Sequence, residues 1–357
     1  MANTRLSSAE QTTPYQSLEI DIQSEASIGG YAYQIVRKQT KQISKLRSSV
    51  IADTDPENLH QMRVGTRRLR SALDLFSEAI SIDSCKGNAT VSKAVKKLTK
   101  ALGKVRDLDV MQQWFEQVLT PEGEQKKQTE DTSPTISLDK KERKTVKKLL
   151  KTLKKRRKKQ FSKLKAVLKG KAYKKPIAQF KQWVEQPTFL PPAELSAEKE
   201  AIRQIVSPMT EILSHPGWLL ATQEKNGRHL PVPDIELDYL NQQLASQGEQ
   251  LHELRKQIKQ LRYQTEFFRG LYGITYAAQV REFRTIQKIL GQLQDQVVVS
   301  EFLADTLGEQ WADKLPSIYQ SFQDSRVALW QQWQPYQKRY LKLRSTLPPK
   351  SSNSQVA

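Results

Sequence analysis

The sequence predicts an all-α protein. Apolar residues recur at i, i+3, i+4 and i+7 along nearly the whole chain, alternating strand-like runs are absent, and a charged pattern carried on that helical period is written twice. Helices are predicted at roughly 26–50, 57–81, 90–119, 138–184, 197–221, 235–271, 277–307 and 309–344. The loops between them are marked by clusters of Pro, Gly and acids at Asp53–Asn58, Asp83–Thr90, Thr120–Ser137, Gln186–Ala197, Thr222–Asp234 and Gly270–Thr275. The helix over 138–184 is expected to break around Gly170 or Pro176. Residues 1–22 and 346–357 are polar and rich in Ser, Thr, Gln and Pro, and are expected to be disordered tails.

The repeated pattern starts on the second predicted helix. Leu59-His60-Gln61-Met62-Arg63-Val64-Gly65-Thr66-Arg67-Arg68-Leu69-Arg70 is followed by Asp74 and Phe76. On the sixth helix, Leu251-His252-Glu253-Leu254-Arg255-Lys256-Gln257-Ile258-Lys259-Gln260-Leu261-Arg262 is followed by Glu266 and Phe268. A second motif recurs some 40 residues later: Leu102-Gly103-Lys104-Val105-Arg106-Asp107-Leu108-Asp109-Val110 matches Leu290-Gly291-Gln292-Leu293-Gln294-Asp295-Gln296-Val297-Val298. The chain therefore reads as two halves of about four helices each, 23–185 and 186–345, and helices joined by short loops pack antiparallel into bundles.

At about 100° per residue, His60, Arg63, Arg67, Arg70 and Asp74 share one edge of their helix, next to an apolar face of Leu59, Met62, Leu69, Leu73 and Phe76. His252, Arg255, Lys259, Arg262 and Glu266 share the corresponding edge. Each stripe runs about 15 Å at 1.5 Å per residue. Neighbouring like charges repel by about a few tenths of a kcal/mol per pair, so a chain that keeps such a row twice is holding something anionic. Arg forks match phosphate oxygens bidentately, and His can donate to them from a ring nitrogen. Asp74 and Glu266 read as acids that orient neighbouring Arg side chains, and Asp107 and Asp295 as acids of the same kind. Lys93, Lys96, Lys100 and Lys104 form a second cationic row, matched by Arg281, Arg284 and Lys288. Rows of that length suit a polyanion, lining a groove or channel between the halves.

The 357 residues carry a net charge of +20. From Asp139 to Lys175 there are 19 Lys/Arg and 2 Asp/Glu, so that stretch alone accounts for +17, and the repeats lie in a nearly neutral background. The Lys-rich helix within 138–169 has apolar residues at helical spacing and reads as an arm that attracts polyanions without specificity. Cys85 is the single cysteine, so no internal disulfide forms. No apolar run reaches the length of a membrane span, and the first 25 residues lack the apolar core of a signal peptide. No metal is expected, because Arg stands at i+3 from each His where zinc would want His or a carboxylate. No cofactor is expected either.

The stretches Leu59–Phe76 and Leu102–Val110, with their second copies, resemble the CHAD domain, the conserved-histidine α-helical domain, over residues 25–345. The resemblance implies two four-helix bundles related by a pseudo-two-fold axis around a basic central cavity. It also implies binding of inorganic polyphosphate and association with polyphosphate granules, hence a cytoplasmic place. It carries over as ligand-facing candidates His60, Arg63, Arg67, Arg70, Lys100, His252, Arg255, Lys259, Arg262 and Lys288. This chain departs from the pattern with Lys259, Gln260, Gln294 and Val297 in the second copy where the first has Arg67, Arg68, Arg106 and Asp109. Members are often fused to a triphosphatase domain with an ExExK metal motif; this sequence has none. The expectation is a non-catalytic binding module for inorganic polyphosphate, without membrane contact. The alternatives are a metal-dependent polyphosphate or phosphoester hydrolase, which would need carboxylates to hold Mg²⁺, and charge-driven nucleic-acid binding, which would need aromatics among the cations.

Overall fold

The computed structural model describes residues 27–82, 88–120 and 136–347. The predicted tail 1–22, most of 346–357, Cys85 and most of the loops Asp83–Thr90 and Thr120–Ser137 lie outside the described residues.

Among the described residues the chain is predominantly helical. The helices are α1 (Ile28–Ala52), α2 (Pro56–Leu75), α3 (Asn88–Leu119), α4 (Lys140–Lys169), α5 (Lys171–Glu185), α6 (Ala197–Leu213), α7 (Leu237–Phe267), α8 (Ile274–Leu307), the single turn α9 (Trp311–Lys314) and α10 (Pro316–Arg344). Side-chain caps start several of them. Ser27 accepts from Gly30 N at α1, and Asp55 accepts from Glu57 N at α2, with Pro56 in the first turn, where its missing N–H costs nothing. At α4, Asp139 and Glu142 form a reciprocal capping box. Glu142 also accepts from Ser317 N and Oγ, which joins the start of α4 to the start of α10.

Two helix ends and one loop differ from the sequence prediction, and the expected break in the helix over 138–184 is present. The helix drawn to residue 81 ends at Leu75, because Ile80 leaves it to pair with Phe189 as an antiparallel bridge. The helix over 138–184 breaks at Gly170, whereas Pro176 lies inside α5. The helix drawn to residue 221 ends at Leu213. The loop drawn over Thr222–Asp234 holds a hairpin, β1 (Thr222–Lys225) and β2 (Arg228–Pro231), turned by Asn226 and Gly227, both at positive φ. An Asn-Gly pair at two left-handed positions is the turn that matches strand twist.

α1 packs on α2, α2 on α3 and α3 on α4; further along, α7 packs on α8 and α8 on α10, and α2 meets α7. Three buried clusters hold this arrangement. The first gathers Tyr31, Ile35, Met62, Leu69, Phe76, Val95, Leu102 and Phe180, and takes in Phe267 and Phe268 from the end of α7. The second gathers Leu254, Ile258, Phe283, Ile286, Trp330 and a stack in which Trp218 lies 4.9 Å from Trp333 and 4.5 Å from Tyr340. Buried Gln337 donates to the Trp218 and Leu220 carbonyls there. The third draws Phe115, Val146 and Leu153 of α3 and α4 together with Phe302 of α8 and Ile318 and Phe322 of α10. Corresponding residues of the two sequence copies meet where Phe76 and Phe268 pack edge to face at 6.0 Å, and Phe115 of the first half lies 6.0 Å from Phe302 of the second.

Two glycines test this packing in opposite directions. A Cβ on Gly29 would stand 2.6 Å from Ala193 Cβ and 3.1 Å from its carbonyl oxygen, whereas one on Gly248, within α7, meets nothing within 4 Å. Gly29→Ala is expected to destabilise by about 1–3 kcal/mol through overpacking. Gly248→Ala is expected to stabilise by about 0.5–1 kcal/mol through lower backbone entropy. Denaturant unfolding of the two variants checks both signs.

Candidate functional site

The repeated helices α2 and α7 present their cations toward one another. On α2, His60, Arg63, Arg67 and Arg70 are half-buried and Asp74 is exposed. On α7, His252, Arg255 and Lys259 are half-buried, while Arg262 and Glu266 are buried. The row Lys93, Lys96, Lys100 and Lys104 lies exposed on α3, and Arg281, Arg284 and Lys288 lie exposed on α8.

The two Leu-Gly-…-Asp motifs lie against corresponding Arg side chains. A Cβ on Gly103 would stand 3.5 Å from Arg63 Nε, and one on Gly291 would stand 3.6 Å from Arg255 Nη2. Each Arg thus lies against the paired helix beside its glycine, at a distance where a Cβ would make an ordinary van der Waals contact. Four residues on, on the same helix face, an acid faces that guanidinium. Asp107 stands 3.5 Å from Arg63, and Asp295 is the carboxylate whose charge bears most on Arg255. Burial pulls both guanidinium pKa values down, and the acids oppose that shift. The Nε atoms of Arg63 and Arg255 are buried and have no hydrogen-bond partner among the described residues.

The acids ending each stripe also have corresponding surroundings. Asp74 lies among Arg70 and Lys96, with Ser92 donating to it; Glu266 accepts from Arg262 and, at 2.8 Å, from Arg284 Nη2. Arg262 Nε donates to Gln287 Oε1 at 2.7 Å. Placed by sequence on the ligand-facing edge, Arg262 is thus tied to protein partners and braces the site.

The histidines differ. His252 Nδ1 lies 2.6 Å from Gln294 Oε1, an acceptor, so Nδ1 carries the proton and donates. In the first copy Arg106 takes the place of Gln294. Burial first, then Arg106, lowers the His60 pKa, leaving a neutral ring at pH 7 whose Nδ1 has no partner among the described residues.

Where α2 meets α7, the two stripes become one cluster around Tyr263. Arg67 donates to the Tyr263 hydroxyl and lies over its ring at 5.1 Å, and Arg262 lies over the same ring at 4.3 Å. Burial, and then Arg67, Arg255, Arg63 and Arg262, lower the Lys259 pKa to about 7. Asp107 and Asp295 border this cluster. Their carboxyl pKa values are raised by burial and held back by Arg63 and by Arg255 respectively, with Lys259 acting on both. The structure therefore brings together Arg63, Arg67, Arg255, Lys259 and Arg262 with two acids, while Lys93, Lys96, Lys100 and Arg281 are exposed, Lys96 beside Asp74. Tyr263 was missed because its spacing reads as core, and Gly103 and Gly291 because a glycine inside a helix carries no charge signal. Among the described residues no group of three or more His, Cys, Asp or Glu stands close enough to hold a metal. No helix among them is long and apolar enough to cross a membrane.

A model of the CHAD domain family matches residues 34–304. Among solved structures the chain is similar to the CHAD domain from the plant Ricinus communis, at 22% identity over 92% of this chain and 94% of that one, with a TM-score of 0.54. It is also similar to PptA from Streptomyces chartreusis, at 12% identity over 90% of this chain and 100% of that one, with a TM-score of 0.54. At those identities the likeness establishes the fold. Among curated proteins no relative matches.

Lys259 makes stability depend on pH. Its folded pKa, about 7, lies below its unfolded value of 10.5, so above pH 7 the unfolded chain binds the extra proton and stability rises with pH toward 10. Below about 7 Lys259 is charged in both states and its folded-state penalty is fully present. Lys259→Met is expected to stabilise the protein at pH 6 to 7 and to flatten the rise between pH 7 and 10, as read by thermal unfolding across that range. An unchanged pH profile would contradict the placement of Lys259.

Proposed function

The chain belongs to the CHAD domain family, and from that premise we propose that it is a non-catalytic binding protein for inorganic polyphosphate. Its cations would take the phosphates, and its ligand would place it at cytoplasmic polyphosphate granules. The observation that carries this reading is the cluster at the α2–α7 contact, where five cations from both sequence copies stand around two acids. An anion between the two stripes would relieve the repulsion among these cations and pair with their terminal nitrogens.

Asp107 lines an open pocket between α3 and α4 on one side and stands 3.5 Å from Arg63 on the other. The correspondence between the copies, Arg63 with Gly103 and Asp107, Arg255 with Gly291 and Asp295, supports the two-fold arrangement that the family implies.

A phosphate chain fits better than a nucleic acid. Single strands bind where bases stack on available aromatic faces. Here Tyr263 is covered by Arg67 and Arg262, and Phe76, Phe268 and Phe302 are buried. His60 would donate to phosphate, His252 is held at Nδ1 by Gln294, Arg63 and Arg255 would provide forks, and Asp74, Asp107, Asp295 and Glu266 would keep the cations in place.

The test is the double variant Arg63→Ala/Arg255→Ala. With about 1.5–3 kcal/mol for each charge-assisted contact, polyphosphate affinity should fall by about 100-fold or more in calorimetric titration, while the thermal transition is retained. Affinity in the native protein should also fall steeply with added salt, as counterions are released on binding. Unchanged affinity in the folded double variant would remove this reading.

A further inference from the structure

The Lys-rich helix α4 is more than a solvated arm. Its middle is clasped at Arg157, whose two terminal nitrogens each reach an Asp53 oxygen at 2.7 Å and whose Nε donates to Asp109. Asp53 ends α1 in a left-handed conformation, φ 57°, so the C-terminus of α1, the body of α3 and the middle of α4 are tied at one point. A fork held on three oxygens fixes how α4 is turned about its axis. At about 100° per residue, Arg156, Lys159, Gln160 and Lys163 then fall on one edge of the helix.

That edge faces α3 across an open pocket of about 480 Å³, whose other wall includes Lys104 and Asp107. Four cations therefore surround it against one acid of its own lining. Arg156 is paired with Asp305 at 2.8 Å, whereas Lys104, Lys159 and Lys163 have no ion-pair partner among the described residues. The pocket adjoins the central cluster, since the Asp107 carboxylate on its wall also stands 3.5 Å from Arg63.

We propose that this α3–α4 pocket is a second subsite for the same ligand, taking the phosphates of a long chain that continue past the α2 and α7 stripes. The inference rests on the polyphosphate reading above and adds to it a length preference. From Arg156 to Lys163 the edge spans about 10 Å along α4 at 1.5 Å per residue. A short oligophosphate is held by the central cluster alone. A long chain reaches both, and the second contact is made at the raised effective concentration that tethering gives. Asp107 stands between the two and keeps Arg63 directed at the junction.

The test compares two charge-matched variants by titration with tripolyphosphate and with long-chain polyphosphate. Lys159→Gln/Lys163→Gln removes charge from the pocket. Lys151→Gln/Lys155→Gln removes the same charge from exposed positions of α4 outside it. The first pair should weaken long-chain binding about tenfold and the second less than about twofold, neither changing tripolyphosphate binding beyond the general salt-sensitive effect of lost charge. Equal losses in both variants would mean that α4 acts through bulk charge, and would overturn the subsite. A matching loss for tripolyphosphate in the pocket variant would also overturn it, because the pocket would then hold short ligands in its own right. If the unsubstituted protein bound neither ligand, the function reading itself would fail, and this inference with it.

Discussion

The structure depends on holding like charges together. Arg63, Arg67, Arg255, Lys259 and Arg262 are brought to one place from two distant parts of the chain, and they repel. The apolar packing beside them keeps them there. Phe76 and Phe268 meet just beyond the stripes, Phe267 packs into the same cluster, and the burial of large apolar side chains supplies the free energy that offsets the repulsion. The strain that remains is visible in Lys259, whose proton is held weakly, and in Arg63 and Arg255, whose buried Nε atoms are unpartnered among the described residues. Folding in this way fixes donors before any ligand arrives, so little reorganisation is left for binding.

The two sequence copies build corresponding parts with different chemistry. In each, an Arg lies beside a glycine of the paired helix, an acid four residues later faces it, and a carboxylate at the end of the stripe gathers an Arg and a cation from the neighbouring helix. The first copy sets Arg106 beside His60 and so disfavours its protonation; the second sets Gln294 beside His252 and fixes its tautomer. Lys259 in place of a second Arg67 introduces the one member of the cluster that titrates near neutrality. The site is symmetric in layout and asymmetric in proton affinity.

Much of this was legible from periodicity. The helical class, the two stripes and the acids at their ends follow from spacings of three and four residues, because a helix turns those spacings into one edge. The pairing of α2 with α7 was legible only as a consequence of duplication. What failed was decided by local turn chemistry or tertiary contact. The Asn226-Gly227 turn signal was present, but its strands are short and polar and carry no apolar alternation. Leu75 ends α2 because Ile80 finds Phe189 more than 100 residues away. Tyr263 sits between two Arg side chains that no spacing rule assigns to it, and Arg262 is drawn inward by Gln287 and Glu266. The charge excess of α4 was obvious, yet its orientation depends on Arg157 meeting Asp53 and Asp109 across the fold.

The measurement that tests the account most directly is competition. Long-chain polyphosphate bound to the native protein is challenged with single-stranded DNA, RNA and heparin at about 150 mM salt and again at several times that concentration, where charge-driven binding is screened. The account predicts that polyphosphate keeps its preference as salt rises, because the α2–α7 cluster is a shaped site. Equal displacement by every polyanion at both salts would mean that the +20 charge alone drives binding, and would contradict it.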